Sequence, residues 1–274
     1  MKRRVYRAVL IAALVIAALI MLYPIYISLV ISLDKSVRFS VPSPPPLFPQ
    51  DFSDLFYKAA FSRMPLLLNY LNTLAITVVV FILKLVFCFM YSYAVSKGRF
   101  KLRQASFIIV LATMIVPFQA LILPSYILVH DLHMLDSWMP IIIMSFLSPI
   151  AVFLFKQFLD ELPNELRESA YMDGARELTV CYRVYFPLCG PAIATVGILT
   201  IVGEWNNYLW GTLMLRTRSL FTVPLALASF SFEKNVIIGP RSAAAMAGAI
   251  PLLLVFLFLQ KYVVSSIATS GIKQ

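Results

Sequence analysis

Apolar and polar stretches alternate along the chain, and six apolar runs stand out, near residues 8 to 33, 68 to 96, 105 to 129, 138 to 158, 189 to 214 and 243 to 267. A helix rises ~1.5 Å per residue and the hydrocarbon core of a bilayer is ~30 Å thick, so about 20 residues cross it. With short interruptions allowed, all six runs reach that length. The pattern predicts an all-α polytopic membrane protein with six transmembrane helices.

The longest strongly charged stretch, residues 163 to 191, falls between the fourth and fifth runs and crowds Glu165, Arg167, Glu168, Asp173, Arg176, Glu177 and Arg183 together. That much charge cannot sit in hydrocarbon, so the stretch is a loop in water. Pro163 suits the first turn of a helix, and Leu166, Ala170 and Met172 fall near one side of it. The helix ends near Met172, because Asp173-Gly174 is a turn signal and glycine enters the left-handed region at no steric cost. Ala175, Leu178, Tyr182 and Tyr185 then recur at roughly helical spacing until Pro187 and Pro191 limit regular helix. The product is a compact helix-turn-helix beside the membrane, either an ordinary charged connection or a docking handle.

Composition agrees with the pattern, since hydrophobic residues make up 61% of the 274 and mean hydropathy is +0.86. Charge then supplies the orientation. Fourteen Lys and Arg residues fall at the termini and in the loops on one side of the spans, against eight on the other. The richer side is expected to be cytoplasmic, which puts both termini and the 163 to 191 loop inside. The net charge of +10 follows from this bias and from the anionic inner surface of the membrane, and does not call for nucleic acid. The basic start and apolar run of the N-terminus exceed a signal-peptide core, so they read as an uncleaved first span. The clustered prolines of FSVPSPPPLFPQDFSDLF make a stiff external connector. The chain thus divides into residues 1 to 67, first span and connector, and a core of five spans, 68 to 274.

Candidate chemistry lies in a few interruptions of the apolar runs. Lys84, inside the second run, would cost a few kcal/mol bare at the bilayer centre, so it snorkels, pairs with a neighbouring helix, or lines a path. Pro117 and Pro124 should kink or partly unwind the third run. His130, Asp131, His133 and Asp136 stand in a short interspan turn, where caps and solvated polar groups are commoner than a metal site, and no metal is assigned. The fifth run carries Glu204, Trp205, Asn206, Asn207 and Tyr208. Polar groups at membrane depth must face protein or a water-filled path. The set suits a sugar, whose C–H faces pack on aromatic rings while amides and carboxylates bond the hydroxyls. It suits equally an interhelical hydrogen-bond network. Cys88, Cys181 and Cys189 are too few and scattered for a disulfide framework. No phosphate loop of the G-x-x-x-x-G-K-[ST] form occurs.

The loop also resembles something specific. Glu168-Ser169-Ala170, three residues, Gly174, and then a run to Phe186-Pro187-Leu188 is similar to the EAA loop of membrane subunits of bacterial ATP-binding-cassette importers, with Ser169 for the usual alanine. Asn72-Thr73-Leu74, Gln119 and Tyr126 beside the prolines, the GEWNNYLWG segment and the Leu259-Gln260-Lys261-Tyr262 ending resemble the carbohydrate-importing branch, although Asn207 and Gly211 depart from its fifth-span signature. The resemblance, to the maltose-transporter type of membrane subunit, covers most of the chain from Tyr70 onward. It implies a non-enzymatic permease subunit of the inner membrane whose Glu168, Ser169, Ala170, Asp173, Gly174 and Ala175 seat on a cytoplasmic ATPase. It implies as partners a second permease subunit, two ATPase subunits and an extracytoplasmic solute-binding protein. ATP and Mg would bind the ATPase, and this chain would bind no cofactor. A non-sugar solute such as glycerol phosphate or a peptide, a gradient-driven transporter, and a membrane assembly factor are the alternatives.

Overall fold

The computed structural model describes residues 2–37, 43–232 and 238–271. Among these residues the regular elements are helices, and the one β-type pairing is an isolated antiparallel bridge between Asp34 and Phe52. The chain falls into two compact units, Met1–Leu66 with Ala226–Pro251, and Leu67–Leu225 with Leu252–Gln274.

In the first unit, α1 (Lys2–Ser32) carries the first run and starts earlier than the pattern predicts. It is exposed from Arg3 to Tyr26 and, from Ala8 on, apolar on every side, as a helix meant for a nonaqueous surrounding should be. Where it ends, the Asp34 carboxylate is fully buried and accepts hydrogen bonds from Ser36 N (3.0 Å), Ser36 Oγ (2.6 Å) and Gln50 N (2.8 Å), drawing the proline-rich connector back to the helix end. Part of that connector, residues 38–42, lies outside the described residues. The described remainder is non-helical until α2 (Leu55–Arg63).

The second unit opens with α3 (Leu66–Lys97), an uninterrupted span of 32 residues that contains a π-helical turn over Lys84–Cys88. The third run is α4 (Arg103–Ile115) and α5 (Phe118–Asp131), bent by 97°. Of the two prolines it is Pro117 that breaks the helix. Its ring forces the preceding residue out of the helical region, and Val116 sits at φ −71, ψ 120, whereas Pro124 remains within α5. The fourth run, Met139–Glu161, is long and apolar enough to cross a membrane as expected, and within it Leu147 and Ser148 separate α6 (Met139–Phe146) from α7 (Pro149–Glu161). Ser148 caps α7 by accepting a hydrogen bond from Ala151 N (3.3 Å), and Pro149 occupies the first turn, where no N–H is needed.

The charged loop forms α8 (Glu165–Met172) and α9 (Glu177–Leu188), and the fifth run forms α10 (Gly190–Trp205) and α11 (Tyr208–Met214). Pro187 does not stop α9, contrary to expectation. A second π-helical stretch, Val180–Tyr185, precedes it, and the wider turn removes the i to i−4 bond that a proline would otherwise break. The chain instead turns by 82° at Cys189, ahead of Pro191 in the first turn of α10. After α12 (Val223–Phe232), the sixth run is a single helix, α13 (Ile238–Gly271). The side chains of the Leu259 to Tyr262 ending lie outside the described residues.

Two cores organise the second unit. Phe89 of α3, Phe155 and Leu159 of α7 and Tyr185 of α9 are fully buried in one, with the Phe89 ring edge-on to Phe155 (5.3 Å) and Phe186 (5.1 Å). Ile76, Val80, Ile141, Trp210 and Met214 form the other. The first carries the charged loop, and the second supports the far end of the fifth run.

Candidate functional site

The residues of the EAA-like segment form a helix end closed by glycine. Gly174 stands at φ +79, its N–H donates to Tyr171 O (2.9 Å), and Ala175 N donates to Ala170 O (2.9 Å). These two bonds are the pair of a Schellman motif, with Gly174 at the left-handed position. Ala170 and Ala175, joined across the turn by the second of these bonds, pack against the first core, while Glu168, Ser169, Asp173 and Gly174 are exposed. Small residues thus bring the turn close to the spans, and the charged groups face away. Met172 and Leu178 depart from the side assigned to them by spacing and are 89% and 61% exposed. Ala175 lies in the turn and α9 begins only at Glu177, so a helical count from Ala175 does not apply to Leu178. Pro163 also lies ahead of its expected position, since α8 begins at Glu165, and its carbonyl accepts the Tyr185 hydroxyl (2.9 Å).

A clamp the sequence does not announce holds this hairpin. Arg167 of α8 donates to both carboxylate oxygens of Glu177 in α9, Nε to Oε1 at 3.1 Å and Nη2 to Oε2 at 3.0 Å, the fork geometry that suits arginine. Tyr93 of α3 donates its hydroxyl to the same Glu177 Oε1 (2.7 Å), and the Arg167 guanidinium lies 4.8 Å over the Tyr171 ring. Partial burial alone would raise the Glu177 carboxyl. The hydrogen bonds from Arg167 and Tyr93, with the arginine charge, outweigh it and hold the group below its ordinary 4.5. Further ties run from α3 to the chain just before α8, with Lys97 Nζ on Leu162 O (2.5 Å) and Ser96 Oγ on Asp160 (2.6 Å). Tyr182 of α9 donates to Val86 O (2.7 Å), joining the two π-helical segments. The hairpin is therefore tied to the end of α3 at several points.

The second group is the interruption of the fifth run. Asn206 and Asn207 fall between α10 and α11, so the polar cluster is the break itself. Glu204 is buried, and its Oε2 accepts from Ser145 Oγ of α6 (3.2 Å) and Asn207 Nδ2 (3.1 Å). Trp205 stacks on Tyr70 of α3, with ring centroids 6.3 Å apart and planes 22° from parallel. Asn206 turns away, exposed, with Nδ2 on the carbonyl of Val202 in its own helix (2.8 Å), and Tyr208 is exposed. The structure thus gathers Glu204 and Asn207 with Ser145, and pairs Trp205 with Tyr70. Asn206 and Tyr208 stand outside this network.

Other singled-out residues have local duties. Asn72 Nδ2 donates to Ser219 O (2.7 Å) and Phe221 O (3.0 Å), and Thr73 Oγ1 accepts from Val223 N (2.9 Å), so the start of α3 fixes the chain entering α12. Asp136 accepts from Arg216 N and Thr217 N (both 2.8 Å) and from Thr217 Oγ1 (2.5 Å). Those bonds hold its carboxyl below the ordinary aspartate range.

Comparison with known proteins places this geometry. The family model described as "Binding-protein-dependent transport system inner membrane component" matches residues 91–269. The arabinooligosaccharides transport system permease protein AraQ of Bacillus subtilis (strain 168) is 34% identical over 204 residues, 74% of this chain and 73% of the relative. The melibiose/raffinose/stachyose import permease protein MelC of the same organism is 30% identical over 253 residues, 91% of each chain. A chain from the crystal structure of a bacterial ABC transporter involved in import of the acidic polysaccharide alginate superposes with a TM-score of 0.84 at 26% identity, over 96% of this chain and 98% of that one.

Proposed function

Because the chain belongs to the family of binding-protein-dependent transport system inner membrane components, we propose that it is the sugar-type permease of an importer whose energy comes from a separate ATPase. As a transport subunit it works by moving. Two ATPase subunits bind ATP and Mg, a second permease subunit completes the membrane path, and a solute-binding protein delivers an oligosaccharide from outside. Both termini and the α8–α9 hairpin face the cytoplasm.

The observation that carries this reading is the hairpin itself, an exposed helix end of Glu168, Ser169, Met172, Asp173 and Gly174 bolted to α3 by Arg167, Glu177 and Tyr93. A partner that grips the exposed end pulls on the span through a short, charge-assisted linkage, as rigid-body rocking between outward and inward states requires. The relatives named for arabinooligosaccharide and melibiose/raffinose/stachyose transport support the sugar, and the aromatic and amide groups of the fifth-run break suit one.

The test is to purify the tagged chain gently from its native membrane and identify by mass spectrometry what comes with it. An ATPase and a second permease should co-purify, and Gly174→Val should lose the ATPase. A chain that purifies alone or as a homo-oligomer would sink the reading.

A further inference from the structure

Lys84 lies 18 residues into the 32 of α3, ~27 Å along a helix of ~48 Å. That is mid-depth, too far from either surface for its four-carbon stem to carry the charge to water. The residue is only 8% exposed, and its Nζ donates to Thr200 Oγ1 of α10 at 3.2 Å. Thr200 sends its own proton to Val196 O (2.7 Å), which leaves a lone pair toward the lysine. An ammonium has three N–H donors, and among the described residues Thr200 is its one hydrogen-bond acceptor.

The obvious counter-ion is near but otherwise engaged. Glu204 follows Thr200 by four residues on the same face of α10, and its charge acts on Lys84. Yet its Oε2 is held by Ser145 and Asn207, and among the described residues Lys84 forms no ion pair with it. Beside the ammonium is a cavity of ≈ 210 Å³ lined by Lys84, Thr200 and Ser148, with apolar walls from Ala151, Val196 and Leu199. On this measure one water needs ~10–15 Å³, so the cavity takes a group larger than a few waters, such as one edge of a sugar ring. The π turn begins at Lys84, and such turns recur at functional sites because they re-aim one side chain.

We infer that Lys84 and Thr200 form a subsite within the membrane for the hydroxyl oxygens of a neutral sugar, so that this chain touches the solute it helps to carry. This rests on the sugar-importer reading. The ammonium donates to ring hydroxyl oxygens while the apolar wall meets the C–H face. A neutral ring fits better than an acidic one, since the buried Glu204 carboxylate one turn away would repel a second carboxylate.

The test uses the complete transporter in proteoliposomes, with raffinose and arabinotriose as neutral probes and glycerol 3-phosphate as the anionic one. Lys84→Met should cut uptake of the transported sugar by about tenfold or more, the loss of ~1.4 kcal/mol or more, with subunit composition unchanged. Lys84→Arg should recover part of it. A second measurement covers a variant that fails to assemble. In a chain with Cys88, Cys181 and Cys189 changed to alanine, Lys84→Cys should react with a small cationic thiol reagent, and the sugar should slow the reaction. Uptake by Lys84→Met at the wild-type rate, or a thiol that no probe protects, overturns the subsite. A wild-type complex that imports glycerol 3-phosphate and no sugar overturns the sugar reading instead. Protection by glycerol 3-phosphate alone would overturn the assignment to a neutral ring.

Discussion

The α8–α9 hairpin and the break between α10 and α11 are both polar interruptions of an apolar chain, but they divide labour differently. In the hairpin the groups that hold the shape, Arg167, Glu177, Tyr93 and the Ala175 N–H to Ala170 O bond, differ from those left at the surface, Glu168, Ser169, Asp173 and Met172. In the break, Glu204 and Asn207 hold the shape and are also the polar groups proposed to meet the solute. If the hairpin is the coupling contact proposed above, a surface substitution in it should abolish coupling and leave the fold intact. In the break, function and assembly separate only at residues outside the network.

The largest effect should come from Gly174→Val. Nothing lies within 4 Å of where its Cβ would sit, so no neighbour objects. At φ +79 the β-branched side chain strains only its own backbone, by ~1–3 kcal/mol, and the helix end relaxes by losing the Schellman turn. Insertion should be normal and sugar uptake should vanish. Gly174→Asn, which tolerates the left-handed region, should keep a large part of it. Normal uptake by the valine variant would put the coupling contact elsewhere.

Next is Glu204→Ala. It removes the acceptor of Ser145 Oγ and Asn207 Nδ2 in a buried site, at ~1–3 kcal/mol for each donor left unpaired. If the subunits still co-purify while the concentration of sugar giving half-maximal uptake shifts, Glu204 serves the path. If the complex falls apart, it serves the network alone.

How far these two regions could be read beforehand depends on the range of their interactions. Asp173-Gly174 announced its turn because a helix end is local, and all six apolar runs are helical for the same reason. The Tyr93–Glu177 bond joins residues 84 apart, and no local pattern marks a tyrosine in an apolar span as a partner. The π turns were invisible too, since no local pattern marks them and the bond that joins them, Tyr182 to Val86 O, spans 96 residues. The break at Ser148 did carry a signal: serine before proline is a capping residue followed by a first-turn residue, hidden by reading 138 to 158 as one apolar run.

Glu177→Gln sharpens the hairpin side. It weakens the Arg167 fork, and because the Glu177 side chain is 45% exposed, water screens much of the loss, leaving ~0.5–1.5 kcal/mol. The carboxyl is held below its ordinary 4.5 in the folded chain. Its contribution to stability is therefore full above about pH 4.5 and fades as pH falls through the lower folded value. Thermal melts of the purified complex should show wild type losing its advantage over Glu177→Gln across that acid window. A difference between the two that stays constant down to pH 3 would mean that Glu177 acts by packing and not by charge.

The smallest structural effect, and the cleanest functional one, belongs to Asn206→Ala. Asn206 is exposed, and its amide bonds only the Val202 carbonyl one turn back in the same helix, so truncation should cost less than ~0.5 kcal/mol and leave the melting temperature and subunit composition unchanged. Any change in sugar uptake must then come from a lost contact to solute, because no network has been disturbed. An unchanged uptake curve, set beside a Glu204→Ala complex that assembles but needs a different sugar concentration for half-maximal uptake, would mean that the break meets the solute from its buried side, where α10 also presents Thr200. The hairpin and the break would then differ in one further way, the first acting through what it exposes and the second through what it buries.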